Sequence, residues 1–371
     1  MLKIFCSPTR YTQGPNATAS LGEEIVNLGL GGPALLVAGR NATRLLEGVW
    51  KESLGAAGLA YRVFPFAGEC TAKEITRGVQ AAREMEARLV IGSGGGKVLD
   101  TSRAIASALG LPQINCPTLA SSDAPCSALS VVNTDKGAFE EYRIHRRNPD
   151  LVLVDTSIIA QSPARFLSAG MGDALATWFE ARVCVEAGVR NMRGGASTRS
   201  ALALAELCYK ILLEDGAAAL ESLQRSRKPG PALERIVEAN TLLSGLGFES
   251  SGLAAAHAVH NGLTAAAGTH AFMHGEKVAF GVLTQLMLEN QPRETLEEVM
   301  AFSHLIGLPL TFAQVGLGEN PDAKTLSCIA ERSTAEGETI HNEPFPITPK
   351  LVIEALVAAN EAGVRWAREH S

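Results

Sequence analysis

At 371 residues, 46% of them hydrophobic, the chain is long enough for two domains and can bury a large core without covalent staples. Seven cysteines (Cys6, Cys70, Cys116, Cys126, Cys184, Cys208 and Cys328) lie singly, with no CxxC pair, which argues for a reducing compartment and against a thiolate zinc cluster. A net charge of −6 without a basic block argues against a nucleic-acid surface, Pro8 comes too early for a signal peptide and no stretch reaches the roughly 20 apolar residues of a membrane helix, so a cytoplasmic small-molecule enzyme is expected.

The first 160 residues alternate β-branched runs with helical stretches. PALLVA (33–38) precedes a helix through TRLLEGVWKESLGAAG, and YRVFPF (61–66) precedes one through TAKEITRGVQAAREMEA, before the strand RLVIG. That alternation marks a parallel sheet with covering helices. Next come a helix through VLDTSRAIASALG, a strand PQINCP, a hairpin in ALSVVNTDKGAFEEYRI turning at Asp135 to Gly137, and a last strand DLVLVD (150–155). Beyond SIIAQSPARF, Ala and Leu dominate and stretches such as ALALAELCYKILLEDG carry helical periodicity. The expected architecture is a Rossmann-like, dinucleotide-binding α/β domain at 1–162, then an all-α domain at 163–371, with the active site in the cleft between them.

RLVIGSGGGKVLD puts Gly92, Gly94, Gly95 and Gly96 between a buried strand and a helix beginning near Lys97. Bare N–H groups and the positive end of a helix suit a pyrophosphate, so Gly94, Gly95, Gly96 and Lys97 are candidate coenzyme contacts. The spacing is neither G-x-G-x-x-G, because Lys97 takes the last position, nor a Walker A loop. A tight turn needing positive φ is the alternative.

AAAHAVHNG places His257 and His260 three apart on one helix, where an imidazole is either a hydrogen-bonded core residue or a metal ligand. GMGDALATWFEA offers Asp173, as a ligand or as an N-cap at an apparent helix start. THAFMHGEKVAFG offers His274 before a glycine and a helix. One carboxylate and two imidazoles would leave an open coordination position, the arrangement of catalytic zinc or ferrous iron.

Taken in order, GGGK, PTLASSDAPCSALSVV, NPDLVLVD, GMGDALATWFEAR, FESSGLAAAHAVHNGLT and HGEKVAFG resemble the glycerol dehydrogenases of the metal-dependent, iron-containing alcohol dehydrogenase superfamily, over nearly the whole chain. The resemblance implies that Asp173, His257 and His274 hold Zn2+ and touch substrate, Fe2+ being the other ion that a carboxylate and two imidazoles accept. It assigns coenzyme contacts to Thr118, Ser121, Ser127 and Leu129, and a polyol contact to Asp123, for which an Asx turn before Pro125 is the other reading. His260 would line the site or pack beside it, His270 is read as a loop residue and Cys126 as packing. The implied reaction is reversible, NAD-linked oxidation of glycerol to dihydroxyacetone and of related vicinal diols by a homo-oligomer, similar enzymes forming octamers. Rival readings are another NAD(P) dehydrogenase of a small polyol or 2-hydroxy acid, a dehydroquinate-synthase-like lyase, and a non-catalytic NAD-binding oligomer.

Two coenzyme positions depart from the family. Gly39 stands where an aspartate usually accepts the adenosine ribose hydroxyls, and Asn133 where a coenzyme-contacting tyrosine is usual. NAD is expected to be preferred, with weakened discrimination against NADP. Arg40 either pairs with a 2′-phosphate or is a solvated surface charge.

Overall fold

The computed structural model describes residues 1–135 and 139–370. The chain forms two compact units, each built from separate segments: Ser7–Pro163 with Ser222–Gly245, and Met1–Cys6 with Ala164–Glu221 and the residues from Leu246 onward. Among the described residues no helix is long and apolar enough to cross a membrane.

The α/β unit runs β1 (Arg10–Gly14), α1 (Leu21–Asn27), β2 (Ala34–Ala38), α2 (Arg40–Ala56), β3 (Tyr61–Pro65), α3 (Ala72–Glu84), β4 (Leu89–Gly94), α4 (Gly96–Leu109), β5 (Gln113–Pro117), β6 (Leu129–Asn133), β7 (Phe139–Ile144), β8 (Leu151–Asp155) and α5 (Thr156–Ile159). Six strands pair in parallel in the order β1-β8-β5-β4-β2-β3, as the alternating elements required. Period-2 alternation explains why both faces are covered. Ala34, Leu36, Leu89 and Ile91 pack with Leu46, Trp50 and Leu54 of α2, whereas Leu35, Val37 and Val90 pack with Ile75 of α3 and Val98 and Ile105 of α4.

β6 and β7 pair antiparallel as a separate hairpin. Of the turn expected at Asp135 to Gly137, the part beyond Asp135 lies outside the described residues. The strand β1 was not legible beforehand. RYTQG is polar and half-buried along its length, and it is held at the sheet edge by β8 and by Gln13, whose Nε2 donates to the Glu234 carbonyl (2.9 Å) and carboxylate (2.8 Å). Glu234 lies on α8 (Pro231–Glu238), a helix of the α/β unit despite its place late in the chain.

The helical unit contains α6 (Ala164–Glu186) and most of α7 (Arg199–Ser226) and of α9 (Ser244–Ser251), then α10 (Ala255–Leu263), α11 (His274–Leu288), α12 (Arg293–Leu305), α13 (Ala323–Ser333) and α14 (Pro349–Glu369). α6 and α11 touch backbone to backbone through two glycines. A Cβ on Gly275 would collide with the Ala169 carbonyl, and one on Gly172 would lie 2.5 Å from the Gly275 oxygen. The glycines of GMGD and HGE therefore bring the neighbouring Asp173 and His274 together.

Candidate metal centre and coenzyme cavity

Asp173 is not an N-cap. It sits inside α6, fully buried, and both imidazoles converge on its Oδ1: Nε2 of His274 at 3.1 Å and Nε2 of His257 at 3.3 Å. The three ligand atoms lie within 4.8 Å of one another and can hold a metal ion. Ligands about 2.0–2.2 Å from a zinc ion stand roughly 3.3–3.6 Å apart on a tetrahedron, close to these spacings. His257 is buried, and His274, the first residue of α11, is exposed, so the group is open on one side.

Each imidazole is aimed by its other ring nitrogen. His257 Nδ1 lies 2.6 Å from Glu180 Oε2, two turns along α6 from Asp173. His274 Nδ1 lies 2.9 Å from His260 Nε2, His260 Nδ1 lies 3.1 Å from Asn261 Oδ1, and Asn261 Nδ2 donates to Glu338 Oε2 at 2.9 Å, with Arg332 on the other Glu338 oxygen. If His274 offers Nε2 to an ion, its Nδ1 proton must point at His260, whose own proton then faces Asn261. His260 thus supports a ligand rather than serving as one. His270 is elsewhere, in the turn Ala267–Ala271 with its Nε2 on the Thr264 carbonyl, as a loop residue should be.

The charges agree with this geometry. Burial favours a neutral His257, but Glu180 and Asp173 outweigh it and lift its pKa well above the usual value. Burial likewise opposes ionisation of Asp173, yet His274 and His257 hold its carboxyl well below the carboxylate range. His260 is pushed down by burial, then by His274 and Lys277.

The start of α10 carries no capping side chain of its own. Its free N–H groups are taken by side chains from other elements: Ala254 and His257 donate to Glu180 Oε1 (2.8 and 3.0 Å), Ala255 to Glu343 Oε1 (3.2 Å) and Ala256 to Gln285 Oε1 (2.9 Å). Two buried acidic side chains, Glu180 and Glu343, accepting N–H groups at the start of this helix fix the height of His257.

In the α/β unit, a cavity of ≈ 430 Å³ opens at the carboxyl ends of β2 and β4 and is lined by Gly39, Arg40, Asn41, Ala42, Gly94, Gly95, Val98 and Thr118. Here the sheet reverses its direction of growth, β2 leading to β3 on one side and β4 to β5 on the other, the crevice where open α/β sheets bind ligands. None of Gly92, Gly94, Gly95 or Gly96 has positive φ, which removes the tight-turn alternative. A Cβ on Gly94 would press into Val98, but Gly95 and Gly96 have room for one, 3.4 Å from Leu119 and 3.6 Å from Ser122. Their bareness serves no packing within the unit and leaves the N-terminus of α4 accessible.

The remaining expected coenzyme residues are spread out. Lys97 pairs with Glu69 Oε2 at 2.5 Å, and Asn133 Nδ2 donates to the other Glu69 oxygen at 2.9 Å. Burial works against the Glu69 charge, but Lys97 and Asn133 outweigh it and lower its pKa. Ser127 is buried, while Ser121, Asp123 and Leu129 are half-buried, and none of these lines the cavity.

The loop carrying Ser121 to Ser127 is held by its carbonyls. Asn240 donates to Ala120 (3.0 Å), Arg103 to Ala124 (2.5 Å) and to Leu129, Asn115 to Pro125 (2.7 Å) and Asn148 to Cys126 (3.0 Å). Arg103 is itself buried and paired with Asp100 at 2.7 Å. Cys126 is buried beside Gly245, in keeping with a packing role.

The family model for iron-containing alcohol dehydrogenases matches residues 8–156. A glycerol dehydrogenase of Escherichia coli is 50% identical over 369 residues, covering 100% of both chains. The chain belongs to the iron-containing alcohol dehydrogenase family. As a member it is an oxidoreductase acting on CH–OH groups. A family relative from Halobacterium salinarum, a glycolaldehyde reductase, is 46% identical over 98% of this chain and 99% of its own. The crystal structure of glycerol dehydrogenase from Schizosaccharomyces pombe superposes with a TM-score of 0.94 at 34% identity, over 99% of this chain and 93% of that one.

Sequence reasoning missed several residues of this family member's site. Glu180 stands inside a quoted motif, and its i+7 spacing from Asp173, the same helix face, was the available signal. Lys277, buried one turn after His274, was within reach by the same argument. Glu338, Glu343, Asn240 and Arg103 gave none, because their partners are distant in sequence.

Proposed function

We propose that this protein is a glycerol dehydrogenase, oxidising glycerol reversibly to dihydroxyacetone with NAD and acting on related vicinal diols. The observation that carries the reading is the convergence of Asp173, His257 and His274 with Glu180 behind, supported by full-length relatives that are glycerol dehydrogenases. The donor set suits zinc, with ferrous iron as the alternative.

When bound, the ion supplies Lewis acidity toward an alcohol oxygen and the nicotinamide supplies a hydride acceptor. The protein's part is placement. Asp173, His257 and His274 would hold the ion, while Glu180 and His260 keep both rings in the tautomer that leaves Nε2 unprotonated. In the α/β unit, Gly95, Gly96 and the α4 N-terminus would take the diphosphate, and Asp123 is assigned to a polyol hydroxyl.

Metal content together with NAD-linked glycerol oxidation tests the reading. Activity should vanish in chelator and return with zinc; undiminished turnover without metal would remove it. Preference for vicinal diols implies that two adjacent oxygens are recognised, so 1,2-propanediol should be turned over far better than 1-propanol. The Halobacterium salinarum relative favours a second reading in which reduction of a small hydroxyaldehyde is the dominant direction. Comparing glycolaldehyde reduction with glycerol oxidation decides between the two.

A further inference from the structure

Taking the cavity at the ends of β2 and β4 as the dinucleotide site of the proposed function, we propose that it accepts the 2′-phosphate of NADP as well as the bare ribose of NAD, with Arg40 as the cationic partner. Two helix N-termini, those of α2 and α4, open into this one cavity of ≈ 430 Å³. The Gly94–Gly95 side suits the diphosphate, which leaves the α2 side, Gly39 to Ala42, for the adenosine ribose.

NAD-specific sites of this architecture select the bare ribose with a carboxylate, which accepts its hydroxyls and repels a phosphate. None of the eight lining residues is acidic, the first turn of α2 has no acidic residue, and Arg40 is the one charged group on the wall. Gly39 is not a requirement of the fold: its φ is −76°, and an added Cβ would meet nothing within 4 Å. An acid there would cost the fold nothing, so its absence leaves ligand space free of negative charge.

Four other arginines of this unit are paired, Arg10 with Glu24, Arg62 with Glu84, Arg77 with Glu74 and Arg103 with Asp100, and none of Arg44, Arg83 or Arg88 lines the cavity. Arg40 is exposed and has no ion-pair or hydrogen-bond partner among the described residues, and Arg44 follows one turn later on the same helix. A guanidinium beside a helix N-terminus offers a phosphate dianion charge-assisted bonds and a favourable dipole together.

The intact protein titrated with NADH and with NADPH, followed by coenzyme fluorescence, tests this without relying on turnover. NADPH should bind within about tenfold of NADH, a gap of at most about 1.4 kcal/mol. Raising salt from roughly 50 to 200 mM should weaken NADPH more than NADH. Arg40→Ala should weaken NADPH at least tenfold with NADH little changed, and Gly39→Asp should do the same from the opposite charge. NADH binding with NADPH weaker by more than tenfold, or Arg40→Ala weakening both alike, overturns the assignment while sparing the dinucleotide reading. Binding of neither coenzyme overturns both.

Discussion

Glu180 grips His257 at two points, its Oε2 lying 2.6 Å from the ring Nδ1 and its Oε1 accepting the His257 backbone N–H at 3.0 Å. Ring and helix start are therefore fixed by one carboxylate. Glu180→Gln keeps the shape but loses the charge, and zinc affinity should fall roughly 10–100-fold. Chelator competition measures this directly; unchanged affinity would show that Glu180 only caps the helix.

A weaker version of the same effect is expected at His274. Asn261→Leu breaks the chain from His274 through His260 to Glu338, freeing a half-exposed ring, and should lower zinc affinity about tenfold with the fold retained. His270→Ala, outside the chain, serves as the control and should leave zinc binding alone.

Overpacking should expose how closely α6 meets α11. Gly275→Ala forces a Cβ against the Ala169 carbonyl and should destabilise the protein by about 1–3 kcal/mol or more, read as a lower Tm of the metal-free protein. Gly48→Ala, in the middle of α2 and with nothing within 4 Å, should keep or raise Tm.

Stability should also report Glu343. Burial, then the nearby Glu289, raises its carboxyl to about 8, and its Oε2 has no hydrogen-bond partner among the described residues. The folded state therefore keeps a proton that the unfolded chain, with its ordinary carboxylate pKa, gives up. Its contribution is fully present below the unfolded pKa and is lost as pH rises through about 8. Glu343→Gln should raise Tm relative to native, more at alkaline than at mildly acidic pH. An equal difference at both would place the ionisation elsewhere.

Asp123→Ala should raise the glycerol KM much more than it changes coenzyme affinity, because its assigned partner is a substrate hydroxyl. A rise confined to the NAD KM would move Asp123 to the coenzyme side.

Much of this was readable beforehand where a residue's role is set by its own neighbours in sequence. The buried strands β2, β4, β5 and β8 are apolar enough to be recognised, and His257 with His260 share a helix face by spacing alone. RYTQG was not readable, because an edge strand that bonds through Gln13 and Tyr11 to residues beyond 230 carries no apolar period. Asp173 looked like a cap because Gly170 and Gly172 imitate a helix start. Those glycines instead lie within α6, and Gly172 answers to the passage of α11.

The loop held by Asn240, Arg103, Asn115 and Asn148 has a consequence for motion. Loops usually open with little free energy because their backbone bonds go to water. Here four buried or half-buried side chains from separate elements bond to its carbonyls, so no single residue can peel away without disturbing α4, β5 or the segment at 240. Its backbone should show NMR order parameters close to those of the sheet. A ligand arriving at Asp123 would find a surface already ordered, and its binding would owe little entropy to the protein.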